Sequence, residues 1–123
     1  SGWHVPNDSD WITLINYIDT SANMSGSSIP SLIGGGMLKE AGFSHWVSPN
    51  TGATNASSFS GLPSGYRNYD GSFNLMAYST LWWNETVRSS GFSYCPEINY
   101  YTANISMQNV LKSYGLPVRC VED

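Results

Sequence analysis

The sequence contains few charged side chains, and cationic ones are the scarcest. Of the 123 residues, 11% are charged, five are Lys or Arg, and the formal net charge is −4. Domains that bind nucleic acid or anionic lipid depend on clustered Lys and Arg to neutralise phosphates. With so few cations, we expect neither nucleic acid nor an anionic membrane surface as a partner.

Long hydrophobic runs are also missing. No apolar run approaches the roughly 20 residues that a membrane-spanning helix requires, so direct membrane insertion is not expected. The chain opens at Ser1-Gly2 with no signal-like segment, and we expect it to be part of a longer exported precursor. A chain of this length is served by one hydrophobic core, so residues 1–123 are predicted to form a single domain.

Cysteine and histidine occur only twice each. Cys95 and Cys120 either form one disulfide, which would suit an oxidising compartment, or remain separate thiols, and their spacing does not decide between the two. His4 and His45 each neighbour a tryptophan and are expected to be hydrogen-bonded structural residues. The sequence shows neither a nucleophile paired with a base nor the spacing of a zinc site. We therefore predict no enzyme activity, no metal site and no cofactor.

Trp82 and Trp83 are the most conspicuous aromatic pair. In a strand their rings point to opposite faces, so at least one of them is expected in the core. Asn84 and Glu85 follow them and superficially resemble a run of calcium ligands. Hard cations require about six to eight oxygen ligands, so a solvated turn is the expectation here.

Two segments carry helical signals. Asn7 or Asp8 is placed to cap a helix N-terminus. Apolar residues then recur at spacings of three and four, which predicts an amphipathic helix of about three turns; they are Trp11, Leu14, Ile15 and Ile18. Residues 32–41 predict a second, shorter helix. Because glycine costs about 1 kcal/mol in a helix, the triplet Gly34-Gly35-Gly36 favours a start near Met37.

The rest of the chain separates into a loop region and a strand region. Residues 42–73 are punctuated by glycine and proline and show no sustained period, which predicts a long ordered loop. Its packing is expected to come from Phe43, Trp46, Phe59, Leu62, Tyr66 and Tyr69. After residue 77, β-branched and aromatic residues come in short runs that are typical of strands, at residues 78–83, 92–101, 103–111 and 116–122. Two helices followed by a small antiparallel sheet, with long ordered loops, predict an α+β fold.

A series of short motifs runs in order along nearly the whole chain. They are Gly2-Trp3-His4-Val5-Pro6, Asp10-Trp11, Leu38-Lys39-Glu40, His45-Trp46, Ser48-Pro49-Asn50-Thr51-Gly52-Ala53-Thr54-Asn55, Leu62-Pro63-Ser64-Gly65-Tyr66-Arg67, Trp82-Trp83 and Val118-Arg119-Cys120-Val121. Together they resemble the Fibrobacter succinogenes major paralogous domain family, which occurs in many exported bacterial proteins. The resemblance implies a C-type-lectin-like fold, shared with formylglycine-generating-enzyme-like domains, and an extracellular or bacterial cell-surface location.

In some relatives of this kind, retroelements rewrite chosen positions near the C-terminus and leave the scaffold residues between them unchanged. The positions of variable type that the resemblance implies here are Cys95, Glu97, Asn99, Tyr101, Asn104, Ser106, Gln108, Asn109, Val110, Leu111 and Tyr114. The chain departs from the family pattern at Pro96 and Met107, where arginine is expected, and at Leu116-Pro117, where Phe-Ser is usual. A cysteine in a variable position also argues against a structural disulfide at Cys95.

Strand geometry agrees with this division of roles. Alternate side chains face opposite sides, so Cys95, Glu97, Asn99 and Tyr101 can share one face. Tyrosine, asparagine and serine on a presented surface suit adaptable recognition. We predict a ligand-binding module for a protein or carbohydrate partner, with a site formed by Leu81, Asn84, Cys95, Glu97, Asn99, Tyr101, Asn104, Ser106, Gln108, Asn109 and Tyr114. The alternatives are a structural or adhesin-like surface domain without a dedicated site and a cysteine-dependent, oxidase-like enzyme.

Overall fold

The computed structural model describes residues 2–23 and 25–123. The architecture is mixed α+β and mostly β, which confirms the predicted class at that level. In chain order the elements are β1 (Trp3–His4), α1 (Asp8–Ile18), α2 (Gly34–Leu38), β2 (Tyr66–Arg67), β3 (Phe73–Asn74), β4 (Ser79–Leu81), β5 (Val87–Ser89), β6 (Phe92–Asn99), β7 (Ser106–Leu111) and β8 (Val121–Glu122). Within the described residues, no helix has the length and apolar character that a membrane crossing requires.

Strand β6 is the centre of the main sheet. It pairs antiparallel with β4, β5 and β7. At Glu97 it is flanked by Leu81 of β4 and Ser106 of β7 at once, so β4 and β7 lie on opposite sides of β6. Strand β7 therefore forms an edge of this sheet. Strands β1 and β8, and strands β2 and β3, form two further antiparallel pairs.

Helix α1 begins where the sequence predicts. The Asn7 side chain accepts hydrogen bonds from the backbone N–H groups of Ser9 and Asp10, and the Asp10 carboxylate accepts from the Asn7 N–H at 2.9 Å. This reciprocal arrangement satisfies the backbone donors that a helix start leaves unpaired. The predicted apolar stripe also faces the core, and its buried members are Trp11, Ile15 and Ile18.

The predicted start of the second helix is wrong. Helix α2 begins at Gly34, at the glycine triplet, rather than near Met37. A Cβ atom on Gly35 would overlap the backbone carbonyl of Asn104. Because glycine alone permits this approach, close packing outweighs the low helix propensity of glycine.

The loop predicted over residues 42–73 is ordered but not uniform. It contains β2 and the first residue of β3, a pair too short for the period of two to be visible. Trp46 is buried, with its indole N–H donating to the Gly61 carbonyl at 3.0 Å, and Phe59 packs against the core. A loop that crosses the surface turns only part of its side chains inward, and the expected packing is wrong for Phe43 and Leu62, which are exposed. Tyr69 is exposed as well, but its ring stands edge-on to Tyr114 with the centroids 6.2 Å apart.

The four predicted strand segments are present in shorter form. The segment 92–101 ends as a strand at Asn99, whose side chain accepts from the Thr102 N–H at 3.1 Å and closes a turn. Tyr101 lies in that turn rather than in a strand. The segment 116–122 is strand only at its last two predicted residues, in β8.

Two clusters of buried side chains lie on opposite faces of the central sheet. The helix face, which packs against α1, carries the larger cluster of Trp11, Ile15, Ile18, Leu38, Trp46, Trp82, Ile98 and Ile105. The outer face is the opposite side of β4, β6 and β7, and it carries the smaller cluster of Leu81, Cys95 and Val110. Trp82 belongs to the first cluster and Trp83 packs against the second, which confirms the prediction for this pair.

Candidate functional site

The outer face brings together side chains from three strands. Glu97 lies opposite Leu81 on one side and Ser106 on the other, and Cys95 lies opposite Gln108. Residues directly opposite one another in an antiparallel pair project to the same face. Within β6 and β7, the predicted alternation therefore places these side chains on one surface.

Part of this surface is closed by packing. Leu81 and Cys95 are buried with Val110, and Tyr114 is half-buried against them. Burial raises the pKa of the Cys95 thiol, which keeps it protonated at neutral pH. Cys120 is exposed and is not bonded to Cys95, so the two cysteines are separate thiols.

Glu97 is the polar centre of the outer face. Its carboxylate accepts hydrogen bonds from the hydroxyls of Ser79 and Ser106, at 2.8 and 3.1 Å, and from the side-chain amide of Gln108 at 2.9 Å. Three donors from both neighbouring strands fix the orientation of this half-buried carboxylate. The outer face thus presents a preorganised acceptor bordered by hydroxyl and amide groups.

Two hollows on the outer face adjoin this carboxylate, with volumes of about 400 Å³ and about 330 Å³. The smaller one, the polar hollow, contains six of the predicted site residues: Glu97, Asn99, Tyr101, Asn104, Ser106 and Gln108. Tyr101 is 61% exposed at its rim, and its ring stands edge-on to Tyr100 with the centroids 5.4 Å apart. The polar hollow therefore combines hydrogen-bonding groups with one exposed aromatic ring.

The larger one, the apolar hollow, lies on the other side of Glu97 and Gln108. Three more predicted residues, Leu81, Asn109 and Tyr114, line it. Val110 and Leu111, two positions of variable type, also line it. Sequence reasoning did not assign its other apolar lining residues to a site, and these are Tyr66, Leu75, Phe92 and Leu116. Tyr66 comes from the loop region and Leu75 follows it directly, and nothing in the sequence pattern indicates that this part of the chain folds back over the sheet.

The turn after β6 shapes the end of the polar hollow. The Asn99 side chain is buried and accepts from both the backbone N–H and the hydroxyl of Thr102, each at 3.1 Å. The Thr102 hydroxyl also lies 2.8 Å from the side-chain oxygen of Asn104. Asn99 consequently forms the turn, whereas Asn104 is half-exposed in the hollow.

Lys39 holds this turn from inside the protein. Its ammonium group is buried and donates to the carbonyls of Thr51, Asn99 and Thr102 at 2.8, 3.0 and 2.9 Å. Burial lowers the pKa of Lys39 to about 8, so it remains charged at neutral pH. Sequence reasoning missed this role, because no periodic pattern marks a buried lysine.

Asn84 and Asn109 lie outside the polar hollow. Asn84 donates to Asp8 at 2.6 Å and to the Tyr94 carbonyl at 2.9 Å, which ties the start of α1 to β6. Asn109 is exposed and lies opposite Tyr94, on the helix face. Glu85, beside Asn84, is exposed. In the part of the chain that the structure describes, no group of three or more His, Cys, Asp or Glu side chains is arranged to hold a metal ion.

Both histidines are hydrogen-bonded, as expected. The His4 ring lies between Asp123 and Asp10, at 2.9 and 3.0 Å, and hydrogen bonds to these two carboxylates raise the pKa of His4. The His45 ring contacts the Glu40 carboxylate at 2.9 Å. Neither ring lines the polar or the apolar hollow.

Comparison with known proteins identifies the family. No curated protein and no solved structure matches this chain. The model of the Fibrobacter succinogenes major domain matches residues 1–122, which is almost the entire sequence. The chain therefore belongs to the Fibrobacter succinogenes major domain family.

Proposed function

We propose that this chain is an exported recognition domain with a C-type-lectin-like fold, which binds a protein or a carbohydrate through the outer face of its central sheet. The observation that carries the proposal is the convergence of six predicted residues in the polar hollow. They come from β6, β7 and the turn between them, and the apolar hollow adjoins them across Glu97 and Gln108.

The chemistry of the polar hollow suits neutral polar ligands. Glu97 supplies a fixed acceptor, while Asn104, Ser106 and Gln108 supply amide and hydroxyl groups. Sugar hydroxyls and peptide groups both require such mixed donors and acceptors at the base of a site. Tyr101 adds a rigid amphipathic ring at the rim, which contributes contact area at low entropic cost.

Hydrogen bonds and close packing hold the turn beneath the hollow, and a site that is ordered before binding loses less entropy when a ligand binds. Lys39 fixes the turn that carries Tyr101 through the carbonyls on either side of it, those of Asn99 and Thr102. Gly35 allows α2 to pack directly behind Asn104. A ligand would meet these groups already positioned.

The family resemblance supports a further part of the proposal, that the exposed positions of variable type are diversified by a retroelement. Tyr101, Gln108, Asn109 and Leu111 are exposed, so changes there leave the core intact. A reverse-transcriptase gene beside a near-copy of the 3′ end of this gene would support diversification. Its absence would favour a structural or adhesin-like surface domain.

Catalysis by cysteine has less support from the geometry. Reactive cysteines are usually accessible thiolates near a positive group. Cys95 is buried, and burial raises its pKa. Cys120 is exposed, but it lies outside both hollows of the outer face.

Glycan and protein arrays probed with the wild-type domain and with Tyr101→Ala and Gln108→Ala variants test the proposal. Both substitutions remove exposed groups of the polar hollow, so we expect affinity to fall by about tenfold or more while the melting temperature stays close to the wild-type value. Tyr17→Ala is the matched control, because Tyr17 is 84% exposed on α1, away from the hollow. An array ligand that binds the Tyr101 and Gln108 variants as tightly as the wild type would refute the assigned site.

A further inference from the structure

The outward edge of β7 has a regular hydrogen-bonding pattern. In an antiparallel strand, successive residues direct their N–H and C=O groups to opposite sides. The N–H groups of Ile105 and Met107 donate to the carbonyls of Ser31 and Ser28, at 3.0 and 2.7 Å, rather than to β6. Asn109 shares their orientation, as does the next odd-numbered residue, Leu111.

The pairing of β6 supports this assignment. Pro96 lies opposite Met107 and has no N–H, and its carbonyl accepts from Trp82, on the side of β4. Tyr94 lies opposite Asn109, and its carbonyl accepts from Asn84, also on that side. Neither Pro96 nor Tyr94 directs its backbone hydrogen-bonding groups toward β7. The backbone N–H and C=O groups of the residues opposite them, Met107 and Asn109, therefore point away from β6.

The edge is closed at one half and open at the other. The segment that contains Ser28 and Ser31 covers β7 beside Ile105 and Met107. Beyond it, the Asn109 N–H and C=O and the Leu111 N–H have no hydrogen-bond partner among residues 2–23 and 25–123. Three backbone groups are thus exposed to solvent, at the spacing that hydrogen bonding to an added strand requires.

The open edge lacks the usual protection against strand addition. Exposed edges are commonly guarded by charged side chains, by proline or by bulges. Strand β7 reads Ser-Met-Gln-Asn-Val-Leu, with neither a charge nor a proline, and the first charge beyond it is Lys112. The β6–β7 register runs without a bulge from Phe92 to Glu97.

Hollows lie on both faces of this edge. On the helix face, a hollow of about 370 Å³ adjoins Asn109 and contains Arg88, which pairs with Asp8 at 2.9 Å and lies over the Tyr94 ring. On the outer face, the apolar hollow adjoins Val110, which lies between Asn109 and Leu111. Because an added strand points its side chains to alternate faces, it would place a polar side chain in the first hollow and an apolar one in the second.

We propose that β7 accepts an extended peptide segment of a partner protein as an additional strand, bonded through the backbone of Asn109 and Leu111. This rests on the proposed function and names the partner of that surface as a protein with an exposed strand-like segment. Main-chain hydrogen bonds give such an interaction its affinity, and the flanking hollows give it side-chain preference.

A second copy of this chain does not fit the same edge in the register centred on Asn109. In a two-fold antiparallel pairing centred on Asn109, Leu111 of one copy would lie opposite Met107 of the other. The outward N–H of that Met107 already bonds to Ser28, so Ser28 would occupy the place of the incoming Leu111. A single peptide strand that starts beside Asn109 meets no such obstacle.

The test selects binders from a displayed library of random linear peptides and measures their affinity for substituted domains. Asn109→Pro removes the outward N–H without breaking a bond to β6, so it should fold normally and weaken peptide binding by about tenfold or more. Asn109→Ala changes only the side chain and should retain at least half of the affinity. Leu111→Pro is a second variant with the same expected loss, and thermal unfolding checks that each variant is folded.

Several results would overturn this inference without affecting the proposed function. They are the enrichment of no peptide, equal binding by Asn109→Pro and wild type, and equal losses for Asn109→Ala and Asn109→Pro. A wild-type dimer in light scattering that Asn109→Pro dissociates would assign the edge to self-association instead. An array ligand that depends on Tyr101 and Gln108 but not on the Asn109 backbone would uphold the proposed function and reject strand addition.

Discussion

The two faces of the central sheet are built from the same strands but differ in how completely other parts of the chain cover them. On the helix face, Ile98 and Trp82 pack with α1 into a closed apolar cluster. On the outer face, Leu81 and Cys95 are covered, while Glu97 remains half-open among hydroxyl and amide groups. Period-two alternation assigns each side chain to a face, but it does not determine what covers that face.

The difference shows that a polar surface can be as fixed as an apolar core. The helix face is stabilised by apolar area removed from water. The polar part of the outer face is stabilised by hydrogen bonds that Lys39 donates and that the side-chain oxygens of Glu97 and Asn99 accept. Buried polar groups stabilise only when their partners are complete. The turn beneath the outer face should therefore be sensitive to the loss of its buried donor, Lys39.

Replacing Lys39 would test that sensitivity with the largest expected effect. Lys39→Ala leaves three carbonyls without their charged donor, so the free energy of unfolding should fall by about 3 kcal/mol or more. Lys112→Ala, at an exposed lysine, should change it by less than about 0.5 kcal/mol. Urea unfolding measures both variants, and equal midpoints would show that the lysine contacts do not hold the turn.

Packing behind the outer face is tested at the glycine triplet. Gly35→Ala places a methyl group against the Asn104 carbonyl, so we expect a loss of about 1–3 kcal/mol and weaker ligand binding at the displaced Asn104. Gly91→Ala is the matched control, because a Cβ atom there would meet nothing within 4 Å. Thermal unfolding of the two variants compares them, and similar melting temperatures would contradict the close approach of α2.

A conservative replacement of Glu97 tests the three hydrogen bonds to the central carboxylate of the outer face. Glu97→Gln exchanges one acceptor oxygen for a donor that faces the hydroxyl or amide groups already donating to it, and we expect a loss of about 1 kcal/mol. Glu85→Gln, on an exposed side chain, should be neutral. If chemical denaturation gives both variants the wild-type stability, the three hydrogen bonds do not order this surface.

The smallest expected effect is the pH dependence of stability that arises from His4, next to the start of α1. Asp123 and Asp10 raise the pKa of His4 above its value in the unfolded chain, so protonated His4 stabilises the folded state. This contribution is fully present below about pH 6.5 and is lost as the pH rises through the higher pKa of the folded state. The melting temperature should fall as the pH rises above about 6.5, and His4→Gln should reduce that fall. An unchanged pH profile in the variant would contradict this.

Local signals in the sequence predicted the local structure well. Asn7, Asp10 and the stripe from Trp11 to Ile18 define α1, because a cap and a helical period involve neighbours in the chain. The order of both helices before the strands of the central sheet was predicted for the same reason, whereas β1, which precedes α1, was not predicted. The C-terminal strands were predicted too long, since β-branched composition continues into turns such as the one at Tyr101.

The candidate site was predicted in part. Alternation identified Glu97, and with it the surface that carries Ser106 and Gln108. It did not indicate that Leu81 and Cys95 would be covered, because Tyr66 and Leu116 reach them from distant parts of the chain. The burial of Lys39 likewise depends on carbonyls from residues 51, 99 and 102.

From its own pattern the sequence determined the family, the mixed α+β class, the first helix and the alternation along β6, because motifs and periods are properties of neighbouring residues. Long-range packing alone decided that α2 starts at three glycines, that half of the outer face is sealed, and that β7 lies at an open edge. Those features arise where segments far apart in sequence meet, and the shape of each contact is a property of both partners.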